Sequence, residues 1–132
     1  MPRNLLRGQD AQDVAQYVAQ CAANAASPAC SGGKITGTSG KDIFLSSGCG
    51  SCHTLADAGT TGKIGPDLDK QLAPDAKKAG KPLDEFTRES IVDPNAFVAP
   101  GYPKGVMPTN FGKTLSKTQL ETLVKYLAQQ AK

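Results

Sequence analysis

The 132-residue chain contains no tryptophan, and aromatic residues make up only 5% of it. A chain of this length suits one compact domain, but so few large apolar side chains provide a thin hydrophobic core. Glycine and proline, at 14 and 9 residues, indicate abundant loops. These shortages predict a domain ordered largely around something other than its own side chains.

The chain also has little net charge and no long hydrophobic run. No apolar stretch approaches the roughly 20 residues that a transmembrane helix needs, so we expect membrane association only through a parent protein or a partner. The formal charge of +3 is too small to indicate nucleic-acid binding. The lysines are scattered along the chain, which fits either general solubility or an electropositive face that steers an acidic partner protein.

The single histidine lies in Cys49-Gly50-Ser51-Cys52-His53, the C-x-x-C-H pattern of covalent haem attachment. On one helical turn, both sulfurs reach the two vinyl groups of one porphyrin edge and form thioethers. The adjacent imidazole then lies under the ring and binds the iron. The motif predicts one covalent haem c, attached through Cys49 and Cys52, with His53 as an iron ligand. A buried porphyrin would also supply the missing apolar mass.

Two other interpretations of the motif are weaker. A thioredoxin-like C-x-x-C follows a strand, whereas residues 40–45 have helical spacing. A structural zinc site normally has four ligands, and Cys49, Cys52 and His53 supply three within five residues.

Met107 is the candidate for the second iron ligand. The chain has two methionines, and Met107 lies in a loop rich in Pro and Gly over residues 101–108. A stiff loop suits the weak Fe–S(thioether) bond, because the backbone must hold the sulfur in place, and such a ligand raises the reduction potential. The ordinary alternative is a methionine that fills a gap in the core.

Helices are predicted from capping residues and apolar spacing. The predicted segments are residues 10–26, a helix starting near Ser39 with Asp42 at its third position, residues 82–92, and a helix capped by Ser116 and Gln119. Residues 27–38, 54–81 and 96–114 are predicted to be linker or loop, with Asp93-Pro94-Asn95 ending the third helix. We find no convincing strand, so the predicted fold class is all-α.

Several segments together resemble class I c-type cytochromes. The resemblance covers residues 36–132 and is carried by Cys49-x-x-Cys52-His53, Ile64-Gly65-Pro66-Asp67-Leu68, Met107-Pro108 and the ending Lys125-Tyr126-Leu127. Residues 90–102 are similar to the cytochrome c domains fused to haem-copper oxidase subunits. The resemblance implies a class I cytochrome c fold wrapped around one haem.

The resemblance also implies roles for individual residues. The carbonyl of Pro66 would accept a hydrogen bond from His53, which fixes the ring orientation. Gly40 and Phe44 would cross the last helix near Tyr126. Two residues are candidates for a position near the propionates or the Met sulfur: Tyr102 and Asn110.

Residues 1–35 form an N-terminal extension that resembles the end of the same family pattern. Met1-Pro2-Arg3-Asn4 parallels residues 107–110, and residues 12–20 parallel residues 121–129. We hypothesise that an upstream cytochrome domain has been cut off; the alternative is an ordinary amphipathic helix after a Met start. Cys21 and Cys30 would form a disulfide in an oxidising compartment or remain free buried thiols.

The predicted function is one-electron transfer by a haem with His53 and Met107 as axial ligands, in a carrier without catalytic residues. The expected partners are redox proteins such as a terminal oxidase, a cytochrome complex or a dehydrogenase. Because haem thioethers are made outside the cytoplasm, we expect an exported protein, as a mature form or a fragment, in the periplasm or on the extracytoplasmic face of a bacterial membrane. The alternatives are a haem peroxidase or gas-binding protein with a dissociable Met107, and a domain that only docks within a larger redox protein.

Overall fold

The computed structural model describes residues 35–131 of the chain. This range is predominantly helical, as predicted, with a 3-10 turn at Cys49–Ser51 and one short antiparallel hairpin. The helices are α1 (Gly40–Ser46), α2 (Leu68–Ala79), α3 (Leu83–Val92), α4 (Phe111–Thr114) and α5 (Lys117–Gln130). The hairpin pairs β1 (Thr54–Leu55) with β2 (Thr60–Thr61).

Both predicted capping signals are confirmed. The Ser39 hydroxyl accepts a hydrogen bond from the backbone N–H of Asp42 and so begins α1. At the start of α5, Ser116 and Gln119 form a capping box in which each side chain binds the other residue's backbone N–H. The predicted end of α3 at Asp93 is also confirmed.

The first and last helices of the domain pack against each other at a glycine. A Cβ atom added to Gly40 would overlap Cβ of Tyr126, so only glycine lets α1 approach α5 this closely. Phe44, one turn further along α1, is fully buried, and the crossing implied by the resemblance is therefore present. The two helices contribute five buried residues to the core: Ile43, Phe44, Leu123, Val124 and Leu127.

The prediction that residues 54–81 are mostly irregular was wrong, because this range contains the twelve-residue helix α2. Its apolar residues Leu68, Leu72 and Ala76 are spaced four apart and buried. Pro74 lies inside the helix, on the exposed side, so its ring faces solvent. Gly80 ends the helix in the left-handed conformation, with φ 67°.

Three smaller features also differ from the predictions. The hairpin β1–β2, which was not predicted, is held by the Thr60 hydroxyl, which accepts from the Leu55 N–H and donates to the His53 carbonyl. Helix α4 lies within the predicted loop 96–114. Helix α3 begins one residue after Pro82, a difference within the usual uncertainty of helix ends.

An ion pair joins α3 to α5. The Arg88 guanidinium donates to both carboxylate oxygens of Glu121, with Nη2 and Oε2 2.8 Å apart. This forked geometry fixes the relative position of the two helices more firmly than a single contact would.

Three predictions concern residues outside the described range. They are the helix at 10–26, the Cys21–Cys30 pairing and the likeness of the N-terminal extension to an upstream domain. Within residues 35–131, no helix combines the length and the apolar character needed to cross a bilayer.

Candidate functional site

A tight turn after α1 brings the three residues of the C-x-x-C-H motif together. Gly48 follows Ser47, the C-cap of α1, and adopts the left-handed conformation, with φ 76°, just before the 3-10 turn. The carbonyl of Cys49 then accepts hydrogen bonds from the backbone N–H groups of Cys52 and His53, at 3.2 and 2.9 Å. Both thiols and the imidazole consequently project from one turn of backbone, as the spacing predicts.

The His53 ring is oriented by a backbone carbonyl. Its Nδ1 lies 2.9 Å from the carbonyl oxygen of Pro66. Because a carbonyl oxygen only accepts, Nδ1 carries the proton and donates it. The other ring nitrogen, Nε2, therefore has its lone pair available to a metal.

Burial keeps this imidazole neutral. Desolvation lowers the pKa of His53 below its ordinary value of 6.5, although the Pro66 hydrogen bond acts in the opposite direction. A neutral ring with a fixed tautomer is the form of histidine that binds metals.

Glycines leave the space in which the ring sits. A Cβ atom at Gly65 would lie 2.5 Å from Cε1 and 2.8 Å from Nδ1 of His53. A Cβ atom at Gly62 would lie 2.6 Å from the carbonyl carbon of Cys52. Gly65 also donates its N–H to the Cys52 carbonyl at 2.8 Å. The segment 62–66 thus packs directly on the motif, a role of Gly62 and Gly65 that the sequence analysis did not identify.

Met107 reaches the same cleft from the loop between α3 and α4. Its side chain is half-buried and lines the cleft together with His53. A hydrogen bond closes this loop on itself, because Oδ1 of Asn95, near its start, accepts from the N–H of Gly105 at 3.0 Å. Gly105 has a φ of 82°, a conformation that favours glycine.

The cleft between these elements is large and mostly apolar. Its volume is about 220 Å³, whereas one water molecule needs ~10–15 Å³. Its walls include four hydrophobic side chains that the sequence analysis did not assign to the site: Leu68, Leu72, Phe86 and Phe97. The two phenylalanine rings pack edge to face, with centroids 5.1 Å apart and planes at 78°. Such a cleft suits a flat, hydrophobic cofactor.

Two residues that line the cleft have buried polar groups, Cys49 and Ser47. Burial raises the pKa of the Cys49 thiol to about 12, so without a covalent partner this sulfur stays a neutral thiol at pH 7. The hydroxyl of Ser47, which belongs to a residue lining the cleft, is buried and has no partner within the described part of the chain. A polar group of a bound molecule would satisfy it.

The structure brings all the predicted site residues to one cavity. The lining includes Cys49, Cys52, His53, Pro66 and Met107. Of the two further candidates, Tyr102 lines the cleft, while Asn110 is not among its lining residues. The donor set, two thiols, an imidazole with a free Nε2 and a thioether, fits covalent haem, and the ligand roles of His53 and Met107 stay predictions.

The family model described as Cytochrome c matches residues 38–131, which is most of the chain. A search of the curated proteins finds no match.

Proposed function

This chain belongs to the cytochrome c family, and we propose that its domain carries single electrons with His53 and Met107 as the axial ligands of its haem. Members of the family are generally electron carriers that bind haem c covalently, and the predominantly helical domain has the class I fold. The observation that carries the proposal is that His53 and Met107 line the same apolar cleft.

The cofactor supplies the one-electron redox change, and a thioether ligand raises its reduction potential. The chain supplies the positioning. Pro66 holds Nδ1 of His53 and so directs Nε2 into the cleft. Asn95 holds the loop that carries Met107. Since both ligands come from backbone segments anchored by hydrogen bonds, they can stay in place in both oxidation states, which favours electron transfer over ligand exchange.

The rim of the cleft supports a redox protein as the partner. Ile64 and Val106 both line the cleft, with 43% and 50% of their surface exposed. Exposed lysines flank them, at Lys63 and Lys104. Apolar residues with positive charges beside them suit a transient encounter with an acidic protein surface. We propose a terminal oxidase, a cytochrome complex or a dehydrogenase as this partner, in a respiratory chain.

We also propose that the protein works in the periplasm or at the extracytoplasmic face of a bacterial membrane. The support is chemical: thioether attachment at Cys49 and Cys52 is carried out outside the cytoplasm.

Replacement of the sulfur ligand tests the proposal. Met107→Ala, in protein matured with its haem, should abolish the weak long-wavelength band that Fe–S(Met) bonding gives the oxidised form. The reduced variant should bind carbon monoxide rapidly, whereas the unmodified protein should not. Thr109→Ala is the matched control, because it shortens an exposed side chain of the same loop that does not line the cleft, and it should leave the spectrum unchanged.

Two results would contradict the proposal. If the spectrum of Met107→Ala equals that of the unmodified protein, Met107 is not a ligand. If the unmodified reduced protein binds carbon monoxide rapidly, the iron has an open position and the gas-binding or peroxidase function is favoured instead.

A further inference from the structure

The wall of the cleft contains a negatively charged side chain with no positively charged one beside it among the lining residues of the described range. Within residues 35–131, Asp75 is the one carboxylate that lines the cleft, and no lysine or arginine lines it. The other ionisable lining residues are the neutral His53, two cysteines and a tyrosine. Asp75 lies in the second half of α2 and is 5% exposed. A buried carboxylate is costly unless it is compensated, so its place in the wall of a cofactor cleft calls for an explanation.

The compensation comes from Lys78, one turn further along α2. Its Nζ lies 3.1 Å from Oδ1 of Asp75. The two side chains differ in exposure, however: 57% for Lys78 and 7% for Asp75. Water screens the exposed ammonium strongly and the buried carboxylate weakly. The pair therefore presents a net negative field to the cleft, although its formal charges cancel.

We propose that Asp75 and Lys78 together set the reduction potential of the domain, with the buried carboxylate lowering it and the lysine partly offsetting that effect. The inference rests on the proposed electron-transfer function. In the half-reaction, one electron arrives from the redox partner, ferric iron becomes ferrous, and no bond forms or breaks. Because this removes one positive charge from the cleft, a nearby negative charge favours the oxidised state.

A purely structural role makes a different prediction. Ion pairs three residues apart on a helix stabilise that helix modestly, and in that case removal of either partner would change the stability of the fold without shifting the potential in opposite directions. The sign of the two shifts therefore separates an electrostatic role from a structural one.

The experiment measures the midpoint potential of the haem-loaded protein by spectroelectrochemistry at pH 8 and low ionic strength. Asp75→Asn should raise the equilibrium constant for reduction about three- to tenfold, where tenfold equals 59 mV for a one-electron couple. Lys78→Met should lower that constant. Matched controls are Asp84→Asn and Lys77→Met, which remove the same charges from exposed positions on α3 and α2 and should shift the potential by much less.

The outcomes distinguish this inference from the function on which it rests. If the unmodified protein shows a reversible couple but Asp75→Asn leaves it unchanged, or if the two variants shift it in the same direction, the inference is overturned and the proposed function stands. If the unmodified protein shows no reversible couple, both are overturned. If Asp75→Asn does not fold, the test is the comparison of Lys78→Met with Lys77→Met, both at exposed positions. Equal shifts of the midpoint potential in these two variants would overturn the inference.

Discussion

The side chain of Asn95 accepts a hydrogen bond from the backbone N–H of Gly105, two residues before Met107. Asn95 lies in the same loop, three residues after the end of α3, so this bond joins the start of the loop to the segment that carries the proposed sulfur ligand. Since a thioether binds iron weakly, the attachment of the loop contributes directly to whether the sulfur stays on the metal.

Asn95→Ala should loosen the Met107 loop. The lost hydrogen bond contributes about 0.5–1.5 kcal/mol, so the population with Met107 detached should rise by up to about tenfold. Titration of the oxidised protein with imidazole, which competes for the vacated position, measures this directly. Asn110→Ala is the control, because the Asn110 side chain makes no hydrogen bond within residues 35–131. Equal imidazole affinity in the two variants would show that the Asn95 contact does not position the loop.

Gly65→Ala should disturb His53, the imidazole that we propose as an iron ligand. The added methyl group would lie within 3 Å of the His53 ring, so either the ring or the segment bearing Pro66 must move. We expect a smaller fraction of protein to mature with haem, and an altered spectrum in the fraction that does. Absorption spectra normalised to total protein give both quantities.

Gly40→Ala is a matched control for this substitution. Its methyl group would overlap Tyr126 where α1 crosses α5, so it should destabilise the fold by roughly 1–3 kcal/mol without touching His53. Urea denaturation should detect both substitutions, whereas only Gly65→Ala should change the spectrum of the folded protein. If both variants leave the spectrum unchanged, the close approach of Gly65 is not needed for coordination.

Tyr126→Phe should lower the stability of the domain at neutral pH, and this loss should shrink at alkaline pH. Burial, followed by the hydrogen bond from the Tyr126 hydroxyl to Asp57 at 2.6 Å, raises the pKa of Tyr126 above its ordinary value of 10. Below pH 10 the phenol is protonated in the folded and unfolded states, so its contribution is complete. Above pH 10 the unfolded chain ionises first, and the contribution is lost as the pH rises.

Urea denaturation at several pH values from 8 to 11 checks this sign. At pH 8 the free energy of unfolding of the unmodified protein should exceed that of Tyr126→Phe by roughly 0.5–1 kcal/mol. This difference should shrink above pH 10. Tyr102→Phe, which alters a phenol that forms no hydrogen bond in the described range, should show no such convergence. A difference that grows with pH would contradict the assignment.

The haem-attachment motif and the helix caps were predictable because each depends on residues that are close together in the sequence. The C-x-x-C-H spacing is dictated by the attachment of two sulfurs to one porphyrin edge, so Cys49, Cys52 and His53 were identified without knowledge of the fold. The caps at Ser39 and Ser116 depend on hydrogen bonds to residues three positions away, and they too were visible in the sequence.

Helix α2 was missed because residues 54–81, which contain Pro74 and Gly80, were predicted to be loop. A signal for the helix was present: Asp67 accepts from the N–H of Asp69 as an N-cap, and Leu68 and Leu72 have helical spacing. Pro74 is tolerated since its ring points to solvent, and Gly80 is the C-terminal cap of the same helix. A proline therefore argues against a helix less strongly where both ends of that helix carry their own signals.

The cleft wall was not predictable for a different reason. Asp75, Phe86 and Phe97 meet around the cavity because α2, α3 and the following loop pack together, and no short pattern encodes such long-range contacts. Pro66 was assigned through its place in a family pattern, whereas the contribution of Asn95 became visible only in three dimensions.

The packing of α1 on α5 has a consequence for biosynthesis. Phe44 is made early, but its cover includes Leu123 and Val124, which the ribosome adds about eighty residues later. Until residues 117–130 have emerged, this part of the interior cannot close. Because the proposed attachment of haem takes place outside the cytoplasm, the Cys49–His53 turn stays accessible to the attachment machinery until the exported chain folds and residues 117–130 cover Phe44.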